Sequence, residues 1–194
     1  MAALLAAGAD ANAKESIRGR HPLYIAARKG HADCVRLLLQ HGANPDALNE
    51  AESYAREGGD ETALHTAAQK GHAECVRVLL EHGASPNARN RDEDTPLMLA
   101  VTEGKVDAVR ALLEGGADVN ASSVGYIPAA LHAAIYFKQP ECLRLLLEHG
   151  ADVNAEFDYT DNAMTFAEEH GDEETLVLLR EYAGKEEPTT KEEP

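Results

Sequence analysis

Three cysteines and nine histidines are the side chains in this sequence suited to metal binding, thiol exchange or proton transfer. Cys34, Cys75 and Cys142 lie far apart and no Cys-x-x-Cys pair occurs, so neither a zinc cluster nor a dithiol couple has its usual spacing. Each cysteine instead stands eleven residues after a leucine, Leu23, Leu64 or Leu131, and the same offset leads from Leu97 to Ala108 and from Met164 to Thr175. Small, mostly apolar residues at one recurring position describe a helix-packing site, where free Cys behaves as a small hydrophobe. The histidines recur in the same way. His65 and His132 follow landmark leucines, His31 and His72 follow a glycine, and His41, His82 and His149 precede another glycine, near a helix end where a cation suits the dipole. His21 takes a position held elsewhere by Thr, and His170 precedes Gly171. Ligands distributed one per segment do not converge. No phosphate loop, nucleophile elbow or His-Glu-x-x-His is present. The sequence therefore predicts no catalytic residue, no cofactor and no metal site.

The elements that carry these residues repeat. Gly-Ala pairs begin at Gly8, Gly42, Gly83, Gly116 and Gly150, with spacings of 34, 41, 33 and 34 residues. The landmarks Leu23, Leu64, Leu97, Leu131 and Met164 keep the same period and show the same excess between the first two full units. Within a unit, Thr62-Ala63-Leu64-His65-Thr66-Ala67-Ala68 begins with a capping hydroxyl and continues as a short helix, which Gly71 ends. In the next unit Thr95-Pro96 puts proline in the first helical turn, where its missing N–H costs nothing. A second helix, Ala73 to Leu80, has apolar residues at helical spacing. An Asn or Asp follows each Gly-Ala glycine by four residues (Asn12, Asp46, Asn87, Asn120, Asn154), and local side-chain hydrogen bonds there suit a turn.

These motifs, Thr-Pro-Leu followed by His-x-Ala-Ala, Gly-His, Leu-Leu and Gly-Ala-Asp-Val-Asn-Ala, resemble the ankyrin-repeat family from about Leu4 to Tyr182. The resemblance implies an all-α solenoid of helix–turn–helix units with β-hairpin-like fingers and a concave face that binds another protein. No unit buries its apolar face alone, so neighbours supply the core. The expected organisation is a half-repeat at 1–13, repeats at about 14–48, 49–88, 89–121 and 122–155, and a capping repeat at 156–182. The expected cap carries Glu168 where an inner Ala is expected. Residues 183–194, with Lys-Glu-Glu-Pro twice, read as a disordered acidic tail. The apolar N-terminus faintly resembles a signal peptide but lacks a basic n-region, and it matches the repeat.

Net charge is −16, from 34 acidic and 18 basic side chains, which argues against a nucleic-acid partner. No apolar run is long enough to span a bilayer. A monomeric protein of the cytoplasm or nucleus is expected, the sparse cysteines suiting a reducing compartment.

The family's contacts usually come from the fingers and from two variable positions before the first-helix glycine. Here those pairs are Arg28-Lys29, Gln69-Lys70, Thr102-Glu103, Tyr136-Phe137 and Glu169-His170. They run from basic through acidic to aromatic. Residues 1–50 carry a charge of +1 and residues 156–182 a charge of −8. Candidate partner-binding residues are therefore Thr102, Glu103, Tyr126, Ile127, Tyr136, Phe137, Phe157, Tyr159 and Glu169, with Tyr54 of the long finger (about 49–60) as a second candidate. The expected partner is a protein segment with apolar anchors and at least one Lys or Arg. Asp92, Glu93, Asp94, Asp158 and Asp161, together with Glu103 and Glu169, would steer it. The runner-up functions are inhibition of a partner enzyme such as a kinase, and substrate recognition for a ubiquitin ligase. The Cys-bearing second helices are similar to those of ankyrin-and-SOCS-box proteins, although nothing after Tyr182 resembles a SOCS box. Asn120 and Asn154 resemble positions that asparagine hydroxylases modify in this family.

Overall fold

The structure is a computed structural model that describes residues 2–15, 20–49, 60–123, 127, 129–155 and 162–183. Its described residues form eleven helices. A short α1 (Ala2–Ala6) is followed by five pairs: α2 (Pro22–Arg28) with α3 (Ala32–Gln40), α4 (Ala63–Lys70) with α5 (Ala73–Glu81), α6 (Pro96–Thr102) with α7 (Val106–Glu114), α8 (Ala130–Tyr136) with α9 (Pro140–Glu148), and α10 (Ala163–His170) with α11 (Glu173–Ala183). We call the pairs units 1 to 4 and the terminal unit. First helices pack in a row, α2 on α4, α4 on α6, α6 on α8 and α8 on α10. Second helices do the same from α3 to α11. The result is the all-α solenoid that the period requires, with one core running along it. Leu38, Leu64, Leu79, Leu97, Leu112, Ile135, Leu143, Leu146 and Leu179 are fully buried, each contributing about 1.5–3 kcal/mol.

Local chemistry sets the helix ends. Thr62 accepts from the His65 N–H, Thr95 accepts from the Met98 N–H, and Asn162 accepts from the N–H groups of Met164 and Thr165. Pro22, Pro96 and Pro140 occupy first turns. Gly71 closes α4 in the left-handed region at φ 78°. His41, His82 and His149 sit at the ends of second helices, each with Nδ1 at 2.8–2.9 Å from the carbonyl four residues back. Only a protonated Nδ1 can bond a carbonyl, so these rings act as hydrogen-bond caps.

The recurring Asn/Asp position works differently from its sequence reading. The local turn is held by the residue two places earlier: Asp10, Asn44, Asp118 and Asp152 accept from the N–H of Asn12, Asp46, Asn120 and Asn154. The recurring side chains instead reach the next unit. Asn12 Oδ1 accepts from Asn44 N–H, Asp46 from Ser85, Asn87 from Asp118 and Asn120 from Asp152, all at 2.8–2.9 Å. Asn12 and Asn120 also donate to the carbonyls of Gly42 and Gly150. Units are thus tied by a ladder of polar bonds along one edge, while apolar packing joins them elsewhere. Isolated antiparallel bridges, Asn49 with Glu61 and Ser122 with Ala129, close the bases of two connections.

Candidate functional site

The five variable pairs stand in register at the ends of first helices that pack side by side, so they form one row. Lys29, Lys70 and Glu103 are exposed, and Arg28, Gln69 and Thr102 half-buried. In unit 4 both members are exposed and aromatic, Tyr136 at 42% and Phe137 at 40%. Large apolar groups at such exposure on a row that is otherwise polar mark this position as different. Glu169 is exposed at the far end of the row and lies 3.5 Å from His170.

The aromatic pair rests on a small cluster. Tyr136 meets Phe137 edge-on at 5.1 Å, lies 5.7 Å from His170, and is 6.5 Å from Phe166. Phe166 in turn contacts His170 at 4.6 Å and His132 at 5.0 Å. These centroid separations are in the range where aromatic rings gain beyond simple burial. Buried Phe166, a core residue by its repeat position, is therefore also the floor on which Tyr136 is held. Sequence reading missed this support. The signal was present in the helical spacing of His132 and Tyr136 and in the offset of Phe166 and His170 one unit later, but adjacency across units needs the packed structure.

The other predicted residues divide into two groups. Ile127 is half-buried and packs against the core, with its carbonyl accepting from Ser123 Oγ. Thr102 and Glu103 stand one unit before the aromatic pair in the row. Tyr54, Tyr126, Phe157 and Tyr159, with Asp158 and Asp161, lie outside the described residues, as does the long finger except for its base. That base is well defined: Asn49 and Glu61 pair through their backbones, and Asn49 Oδ1 accepts from the His21 N–H. Tyr24 Oη donates to Glu61 Oε2 at 3.5 Å. Burial raises the pKa of Glu61 and of Tyr24 above their ordinary values.

Among the acids near the row, Asp92 and Glu93 are exposed, and Glu93 pairs with Arg89 at 3.6 Å. Asp94 is half-buried and its pKa is raised, by burial first and then by Asp92. Its carbonyl is a partner of the buried His65. His65 has Nε2 at 3.2 Å from that carbonyl, and its Nδ1 faces both the backbone N–H and the hydroxyl of Thr62. Those partners fix the tautomer, with the proton on Nε2 and the acceptor at Nδ1. Burial lowers the His65 pKa to about 4, so the ring is neutral and structural.

Burial pushes the thiols of Cys75 and Cys142 up to about 11, while Cys34 is half-buried. Among the described residues no three His, Cys, Asp or Glu side chains are grouped to hold a metal ion, and no described helix is long and apolar enough to cross a membrane.

Comparison with known proteins bears on what such a row is for. Family models described as ankyrin repeats match residues 47–123 (three copies), 18–50 (a single repeat) and 131–180 (many copies). Mouse 2-5A-dependent ribonuclease is 55% identical over 42 residues, which cover 22% of this chain and 6% of that protein. Human ankyrin repeat and SOCS box protein 12 is 72% identical over 25 residues, covering 13% of this chain and 8% of that protein. The mouse protein of that name is 47% identical over 51 residues, covering 22% and 17%. The chain spans less than a fifth of each of these relatives.

Proposed function

Because this chain belongs to the ankyrin-repeat family, a protein-interaction module, we propose that it is a non-enzymatic scaffold or adaptor that holds a segment of another protein. The segment lies along the first-helix row of units 3 and 4 and the terminal unit. The observation that carries this reading is the exposed Tyr136-Phe137 pair, held from below by Phe166 and His170. Aromatic side chains on a firm floor bind with little loss of rotamer freedom, and they dominate interface energetics. Glu103 and Glu169 flank the pair along the row, within a chain of net charge −16. The favoured ligand therefore combines an aliphatic or aromatic anchor with Lys or Arg, the charges steering encounter and the anchor setting residence. Nucleic acid and membrane surfaces do not fit that charge. The protein acts as a monomer in a reducing compartment, cytoplasm or nucleus, in keeping with its free thiols.

A peptide array tests the reading. Members pair a Leu, Phe or Trp anchor with zero to three Lys or Arg, and each is probed with the full chain and with Tyr136→Ala/Phe137→Ala. Binding that rises with basic residues and falls in the double variant supports it. Equal binding by both proteins overturns the placement.

A second reading has the same row present a substrate to a ubiquitin ligase. The short matches to the ankyrin repeat and SOCS box proteins favour it. Affinity capture with the full chain distinguishes the two, since a ligase core would be recovered together with the bound segment.

A further inference from the structure

Cations on the exposed side of the second helices are neutralised locally. Glu74 lies 3.4 Å from Arg36 and 3.2 Å from Arg77, so one acid serves the arginines of units 1 and 2. The first-helix row is built otherwise. Lys29 and Lys70 hold the same position of that row in units 1 and 2, both exposed, and neither forms an ion pair among the described residues. Glu61 is near enough to feel the charge of Lys70 and Arg28, but its carboxylate is buried and accepts from Tyr24. It therefore presents nothing to a ligand. A parallel row repeats the pattern. The turn glycines are covered from the next unit, Gly30 by His72, Gly71 by the stem of Lys105 and Gly104 by Gln139. In the terminal unit the same position is Asp172, which is exposed. Along both rows the side chains pass from cationic to anionic in one direction, Lys29 and Lys70 to Glu103 and Glu169, and Lys105 to Asp172.

We propose that Lys29, Lys70 and Lys105 form a second subsite of the row, which takes a stretch of Asp and Glu in the same segment that anchors on Tyr136-Phe137. The inference rests on that anchored reading and adds the charge order and spacing of the segment. First helices pack side by side from α2 to α8, at about 10 Å per step. Lys70 is thus about 20 Å from the aromatic pair and Lys29 about 30 Å, which an extended chain covers in roughly six and nine residues. The occupant is a dipolar segment. It has Lys or Arg beside the anchor, against Glu103 and Glu169, and carboxylates about six to nine residues away towards unit 1. Reversed, its carboxylates would run past Glu169 and Asp172, and like charges reject that orientation. One row thereby selects the direction of the ligand as well as its anchor.

Fluorescence anisotropy with synthetic peptides and the full chain tests this. The reference peptide is a Trp anchor flanked by Lys. Others add a Glu-Glu-Asp block on its N-terminal or C-terminal side, joined directly or through a neutral spacer of about six residues. In one of the two chain directions the block behind the spacer should tighten binding on the order of tenfold, the size of a few exposed charge pairs. The block without a spacer should not. In Lys29→Gln/Lys70→Gln that gain should vanish. The reference peptide stops short of both lysines, so it should keep its affinity within a few-fold and report a folded chain. A gain that survives the substitutions, is as large without the spacer, or is absent in both directions overturns the acidic subsite and leaves the anchored reading standing. A reference peptide whose binding ignores Tyr136→Ala/Phe137→Ala overturns that reading and this inference with it.

Discussion

Units 2 and 4 share one register and one core, and they differ at nearly every first-helix position that is not core. In unit 2, Thr62 caps α4, His65 bridges Thr62 to the Asp94 carbonyl, the variable pair is Gln69-Lys70, and Gly71 takes the left-handed turn. In unit 4, Ala129 stands at the cap and offers no side-chain bond. His132 packs on Phe166, the variable pair is Tyr136-Phe137, and Lys138 holds the left-handed turn at φ 52°. Unit 2 has both its side-chain cap and its left-handed glycine. Unit 4 lacks the cap and the glycine yet displays an aromatic pair to solvent. Departures from local rules concentrated beside an exposed apolar pair are the pattern expected where a surface is used for binding.

The largest effect should separate the two units by binding. Tyr136→Ala/Phe137→Ala is expected to weaken an anchored basic peptide by about 3 kcal/mol, the scale of a two-residue hot spot. Gln69→Ala/Lys70→Ala should alter it only a few-fold, as titration calorimetry with the two variants can measure. Similar losses in both would erase the distinction.

Acid should next act through unit 2. His65 has a folded pKa near 4, below the ordinary histidine value. Its contribution to stability is thus fully present above about pH 6.5 and is lost as pH falls towards 4, because the unfolded chain takes up the proton first. Urea unfolding should show a loss of ~2 kcal/mol between pH 7 and pH 5, and His65→Gln should flatten that slope. Glu61 and Asp94, with raised pKa values, act with the opposite sign and offset part of the loss at the acid end of the window.

Two substitutions should move unit 4 towards unit 2. Ala129 already has the extended backbone of a cap, at φ −147° and ψ 161°. Ala129→Thr should therefore raise unfolding free energy by ~1 kcal/mol through a restored cap. Lys138→Gly should add about 0.5 kcal/mol by relieving a left-handed non-glycine. Thermal or urea midpoints check both. A destabilised Ala129→Thr would mean that unit 4 has repacked around its missing cap.

Much of this was legible beforehand because a repeat states each position several times. The cysteines, spaced like nothing that binds metal, were readable as core from Ala108 and Thr175 at the same offset, and Cys75 and Cys142 are buried. Thr62, Thr95 and the first-turn prolines announced helix starts through backbone chemistry that acts within four residues. The variable pairs come from the resemblance to the ankyrin family, and register only says which residues they are. The histidines before the Gly-Ala pairs were placed correctly at helix ends, but their role is hydrogen bonding to a carbonyl. The recurring Asn and Asp residues were assigned to their own turn, whereas they bind the next unit some 30 residues away. No local pattern distinguishes those two uses of one side chain.

By itself, then, the sequence determined the period, the helix pairs and most buried positions, since each follows from short-range chemistry repeated in phase. The tertiary structure decided what lies across the joint between units. It set Phe166 and His170 beneath Tyr136 and carried His65 to the Asp94 carbonyl. Those relations depend on how neighbouring units stack, and contacts made across a stack have no fixed spacing along the chain.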